Sequence, residues 1–134
     1  MRLIVNTNRI IAALIKDSAS RKIIIHSNAE LLTIGFLNKE IQKYNGTLLK
    51  KSSLNKIELD ILFKKLMEKV LILDDRLINT KIKEARRIMD KIDPNDTPFI
   101  AAALAAKADI WSDDEHFQRQ NKVKVWRTKD LCFN

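Results

Sequence analysis

Residues Asp93 to Phe117 read DPNDTPFIAAALAAKADIWSDDEHF. Asp93-Pro94-Asn95-Asp96 is a turn by composition, and Pro98 suits the first turn of a helix that begins beside it. The helix continues from Phe99 to Ala106, with alanines small enough to let it lie close against a sheet. Ile110 to Ser112 then forms a short strand, and Asp113-Asp114 a second acidic turn. A helix followed by a strand in this way can bring Asp96, before the helix, to the same sheet edge as Asp113 and Asp114, after the strand. In open α/β sheets ligands bind at that edge, beyond the carboxyl ends of the strands.

Working outward, Val70 to Leu73 reads as a strand, and Ile82, Ala85, Ile88 and Met89 mark a helix from about Thr80 to Ile92. Near the start of the chain, Leu3 to Val5 is an apolar strand that stops at Asn6-Thr7-Asn8, residues that favour caps and turns. Ile10, Ile11, Leu14 and Ile15 follow at helical spacing. Ile23 to Ile25 suits a short helix, Glu30 to Thr33 a second strand, and Phe36 to Lys51 a helix broken near Asn45-Gly46. Ser53 to Lys69 reads as a helix with a serine cap and two apolar stripes, Leu54, Ile57, Ile61 and Leu62 on one and Leu59, Phe63, Leu66 and Val70 on the other. Two stripes call for two buried sides, so this helix is either sandwiched in the core or offers one stripe to a second copy in a homodimer. Val123 to Trp126 gives a last strand before a fraying tail, and Trp111 and Trp126 read as sheet-face packing residues. Strands alternating with helices predict an α/β fold, a parallel sheet of about five strands with helices on both faces, in one domain spanning residues 1–134.

The chain has 25 Lys and Arg against 17 Asp and Glu, a net charge of +8, which favours an anionic partner such as nucleic acid. A Lys- and Ile-rich composition can also arise from genome bias or heat adaptation. The basic residues crowd into Phe36–Val70, where Lys50 and Lys51 are adjacent, and into Thr80–Ile92. The single cysteine, Cys132, cannot form an internal disulfide, which points to a reducing, cytoplasmic setting. The sequence shows neither a leader nor an apolar run of membrane-spanning length, so no membrane association is expected. His26 has no His or Cys at metal spacing and reads as a surface or half-buried residue.

Glu40 on the helix after the second strand, Asp96, Asp113 and Asp114 are carboxylates that the topology can gather at one edge. Carboxylates in a cleft repel one another unless their pKa values rise or a divalent cation joins them. Oxygen donors of this kind, counted without a His or Cys partner, select Mg²⁺ or Mn²⁺ over zinc. On a phosphodiester such a cation activates water and neutralises developing charge. Each residue also suits a plainer role. Asp96 can simply cap its helix, Asp113 and Asp114 can be turn residues, and Glu40 can be a solvated partner of Lys43.

The segments IVNTNRIIAAL, FLNKEI, DPNDTPFIAAAL and IWSDDEHF, in this order, resemble the PIN-domain family over almost the whole chain. The resemblance implies a three-layer α/β/α fold with sheet order 3-2-1-4-5 and Mg²⁺- or Mn²⁺-dependent cleavage of RNA. It carries the acidic quartet onto Asn6, Glu40, Asp96 and Asp114. Ser112 matches the family's hydroxyl that helps hold water at the metal, and Asn8 the structural Asn of the first turn. Asp113 and Asp93 fall where outer-shell carboxylates can stand. The sequence departs from the pattern at Asn6, where the family carries Asp: the amide keeps a carbonyl oxygen and loses a full charge, so metal affinity and activity should fall.

Two functions follow as expectations. One is a metal-dependent endoribonuclease, of the kind found as the toxin of a toxin-antitoxin pair with an antitoxin protein as partner, impaired here by Asn6. The other is a non-catalytic RNA-binding or assembly module that keeps the fold while its metal site has decayed.

Overall fold

The computed structural model describes residues 1–132. In chain order the elements are β1 (Arg2–Val5), α1 (Thr7–Ile15), α2 (Ala19–His26), β2 (Glu30–Ile34), α3 (Leu37–Lys43), α4 (Asn45–Ser52), α5 (Lys56–Met67), β3 (Val70–Leu73), α6 (Asp75–Asn79), α7 (Ile82–Met89), a 3-10 turn (Pro94–Asp96), α8 (Thr97–Ala106), β4 (Asp109–Trp111), α9 (Glu115–Gln118), β5 (Val125–Trp126) and α10 (Thr128–Leu131). The five strands form one parallel sheet in the order β3-β2-β1-β4-β5. This is the order that the resemblance to the PIN-domain family implies.

β1 lies at the centre, with Ile4 paired to Leu32 on one side and Ile110 on the other. Successive side chains of a strand point to opposite faces, and a parallel sheet covered on both faces needs apolar residues in both directions. Ile4, Leu32 and Ile110 accordingly pack with α7 and α8, while Leu3, Val5, Leu31 and Trp111 pack with α1, α2 and α5. The sheet is thus the middle of three layers. In α8 the run Ala101-Ala102-Ala103 is buried almost completely, since small side chains let the helix backbone approach the sheet. That close seat fixes where α8 begins, at Thr97 immediately after Asp96.

Several details differ from the sequence reading for local reasons. The helix expected from Phe36 to Lys51 is two helices meeting at Tyr44, so the expected break is real. Ser53 does not cap α5; it ends α4 in a left-handed conformation with φ 60°. Asn55 is the cap, in a reciprocal capping box with Glu58. The polar link after β3 is the short helix α6, started by Asp74, whose side chain accepts from the Arg76 N–H. The tail expected to fray after Trp126 forms α10, and Phe133 and Asn134 lie outside the described residues. The two stripes of α5 have different fates: Leu59 and Leu66 are buried, whereas Ile57 and Ile61 are exposed. Trp111 is fully buried, and Trp126 is half-buried with Lys124 Nζ 4.2 Å from its ring centre. Among the described residues no helix is long and apolar enough to cross a membrane.

Candidate active site

β1 and β4 end side by side, and the Asn6 N–H continues their pairing by donating to the Trp111 carbonyl at 3.2 Å. This places the residue after β1 next to the turn after β4. Asn6 caps α1: its Oδ1 accepts the Asn8 N–H at 3.1 Å, and the side chain is buried. Across from it, Ser112 is fully buried and its Oγ accepts the Asp114 N–H at 3.0 Å. Asp114 in turn caps α9, its Oδ1 accepting the His116 N–H at 2.9 Å.

Glu40 comes from α3 and accepts a 2.6 Å hydrogen bond from the Thr7 hydroxyl at the start of α1. Among the described residues it makes no ion pair with Lys43, so the solvated-pair role does not apply. Asp96 occupies the capping position of α8, yet its side chain makes no capping hydrogen bond. Its Oδ2 lies 3.3 Å from His116 Nδ1. Asp96 is in helical conformation at the end of the 3-10 turn that Asp93 caps, so its carboxylate is not taken up as a cap. Asn6, Glu40, Asp96 and Asp114 all line one open cavity of about 610 Å³, whose rim also carries Lys39 and Lys43. Four elements distant in sequence therefore converge on a single space.

Asp113 and Ser112 do not line that cavity. The Asp113 carboxylate accepts from the Arg9 guanidinium at 2.7 Å and from the Thr128 N–H and hydroxyl at 2.7 and 2.8 Å. Arg9 also donates to Ser20, and the Trp111 indole N–H donates to Thr128. Asp113 is thus the centre of a clasp joining α1, α2, β4 and α10. Burial pushes its carboxyl up, but the Thr128 hydrogen bonds and the Arg9 and Arg127 charges outweigh that and hold it below the usual carboxylate range.

The sequence reading counted no histidine beside the acids, and the structure corrects this. His116 Nδ1 stands 3.0 Å from Asp93 Oδ2, 3.3 Å from Asp96 Oδ2 and 3.4 Å from Asp114 Oδ1. The signal was its position two residues after Asp114, which the first turn of α9 folds back over the carboxylates. Burial pushes the Asp96 carboxyl up to about 6, with the charges of Asp93 and Asp114 adding to the rise and the hydrogen bond from His116 opposing it. Like charges this close are relieved by a proton or a cation. One donor atom each from Asp93, Asp96 and His116 lie within 4.8 Å of one another, so the donor set fits a divalent cation.

The profile of the PIN domain matches residues 4–134. The chain belongs to the PIN-domain family. PIN domains are generally nucleases that use a divalent metal. A similar solved structure is a chain in the crystal structure of VapBC2 from Rickettsia felis bound to a DNA fragment from their promoter. The match has a TM-score of 0.69 and 18% identity, and covers 95% of this chain and 98% of that one. At that identity the likeness concerns the fold. Comparison with curated proteins returns no match.

Proposed function

We propose that this PIN domain is an Mg²⁺- or Mn²⁺-dependent endoribonuclease hydrolysing RNA phosphodiester bonds, with activity reduced by Asn6. The observation that carries this reading is the convergence of Asn6, Glu40, Asp96 and Asp114 on one cavity, with burial and neighbouring carboxylates raising the Asp96 carboxyl to about 6. Asp96 and Asp114 would hold the cation, with Glu40, held by the Thr7 hydroxyl, lining the same cavity. Ser112 positions Asp114 through the Asp114 N–H, so its buried hydroxyl acts on the site through that turn. When bound, the cation supplies an activated water and neutralises charge on the phosphate. Lys39 and Lys43 at the rim suit the phosphates on either side of the cut.

Asn6 is the weak member. Its Oδ1 already accepts the Asn8 N–H, and its amide adds no charge to the cavity. That observation favours a second reading, an RNA-binding or assembly module with a decayed metal site. The structure of VapBC2 with promoter DNA supports, as a proposal, that this chain is a toxin held by an antitoxin protein. Ile57 and Ile61, exposed on α5, suit a homodimer contact.

The test is cleavage of single-stranded RNA by an Asn6→Asp variant. Restoring a direct ligand charge is worth a few kcal/mol of transition-state stabilisation, so on the order of 10² to 10³-fold in rate over the unsubstituted chain. EDTA should abolish the cut, and so should Asp96→Asn or Asp114→Asn in the Asn6→Asp background. A folded, metal-binding Asn6→Asp protein that leaves every RNA intact would favour the binding module.

A further inference from the structure

His116 reaches the carboxylates from a rigid support. Its own N–H is capped by Asp114, and the next residue, Phe117, is buried edge-to-face against Phe99 of α8 with ring centres 6.3 Å apart. α9 is therefore fixed to α8, the helix that Asp96 precedes, and the imidazole is fixed with respect to Asp96. Asp93 is held too, because its Oδ1 accepts the Asn95 N–H at 3.0 Å while its Oδ2 meets His116. Neighbouring donor atoms around an octahedral first-row cation stand about 3.0 Å apart, given bonds of about 2.1–2.2 Å. His116 Nδ1 already stands 3.0 Å from Asp93 Oδ2 and 3.3 Å from Asp96 Oδ2, with all three donors within 4.8 Å of one another, so the imidazole has the spacing of a neighbouring ligand to both carboxylates.

We propose that in the metal-loaded protein His116 Nδ1 is a direct ligand, and that this nitrogen makes the site prefer Mn²⁺ to Mg²⁺. The inference rests on the metal site of the preceding section and adds to it the identity of the metal. Mg²⁺ relies on oxygen donors in near-ideal octahedral geometry, and the carbonyl oxygen that Asn6 offers carries no charge and already accepts the Asn8 N–H. Mn²⁺ shares the carboxylate ligands of Mg²⁺ but, as a first-row transition ion, binds a nitrogen donor more strongly than Mg²⁺ does. Replacing a charged oxygen by a nitrogen donor thus penalises Mg²⁺ more than Mn²⁺. Any proton on Nδ1 leaves to solvent as the cation takes its place.

Two measurements test this on the full chain. In Mn²⁺-loaded protein labelled with ¹⁵N only at histidine, pulsed electron paramagnetic resonance should detect a nitrogen coupling that changes from ¹⁴N to ¹⁵N with the label. The chain has two histidines, and His26→Gln should keep the signal while His116→Gln loses it. Calorimetry should give Mn²⁺ at least tenfold tighter binding than Mg²⁺. In His116→Gln, checked for folding by its thermal melt, Mn²⁺ affinity should drop 10- to 100-fold and Mg²⁺ affinity less than threefold. Mn²⁺ bound without a histidine nitrogen coupling, or with equal losses for both metals in His116→Gln, would overturn the proposal and leave the carboxylate site standing. Failure of the unsubstituted chain to bind either cation would overturn the metal reading beneath it.

Discussion

In the absence of divalent cations, Asp96→Asn should make this protein more stable at neutral pH. The folded-state carboxyl is raised from 3.8 to about 6, and its side chain is only 14% exposed. A rise of roughly two pH units is worth at most about 3 kcal/mol, and residual solvent brings the expectation to ~1–3 kcal/mol. The sign follows from proton counting. Between pH 3.8 and about 6 the folded chain holds a proton that the unfolded chain has released, so stability falls as pH rises through that window and is level above it. Asn carries no charge at any pH, so the variant loses this slope and gains most above pH 6, less the contact with His116. Urea unfolding in EDTA at pH 4, 5, 6 and 7.5 would measure it. Mn²⁺ should reverse the order at pH 7.5, since the cation relieves the same repulsion in the unsubstituted chain and finds a weaker site in the variant. An Asp96→Asn protein with an unchanged pH slope, or one destabilised at pH 7.5 without metal, would refute the account of Asp96 as a crowded, poorly solvated carboxylate.

Asp113→Ala should destabilise the fold by about 2–3 kcal/mol in urea, because Arg9, only 16% exposed, is left without its carboxylate. As the Asp113 carboxyl is held low, its contribution should be complete above the ordinary carboxylate range and fade as the pH drops below it. The double substitution of Lys39 and Lys43 by Ala should lower the salt dependence of RNA binding, measured in EDTA, by up to ~2 in log-log slope. Lys50 and Lys51 lie on α4 and do not line the cavity, so replacing them should leave that slope nearly unchanged.

The strands were legible because β1, β2, β3 and β4 are short apolar runs ended by turn residues, and because Asp93–Phe117 fixes one helix and one strand around two acidic turns; the order of the strands came from the resemblance to the PIN-domain family. What escaped was set by contacts across the fold. Ser53 resembles a cap in sequence, but the chain needs a left-handed residue there and Asn55 has Glu58 at the right spacing to cap instead. α6 and α10 are too short for an apolar period to reveal them. At the site, Asn6, Glu40, Asp96 and Asp114 were readable from the motif order and do line one cavity. Asp113 was not, since its partners Arg9 and Thr128 lie far away in the chain. His116 was in plain view two residues past Asp114, but only the turn of α9 shows that its ring meets Asp93 and Asp96.

Anomalous diffraction from Mn²⁺-soaked crystals, of the chain as it stands and of Asn6→Asp, locates the cation without depending on turnover. One manganese peak should lie in the cavity within about 2.2 Å of carboxylate oxygens of Asp96 and Asp114. Its occupancy should be higher in Asn6→Asp, where the new carboxylate joins the ligands. A peak elsewhere on the surface, or an empty cavity in both proteins at saturating Mn²⁺, would contradict a metal-dependent nuclease site at the ends of β1 and β4.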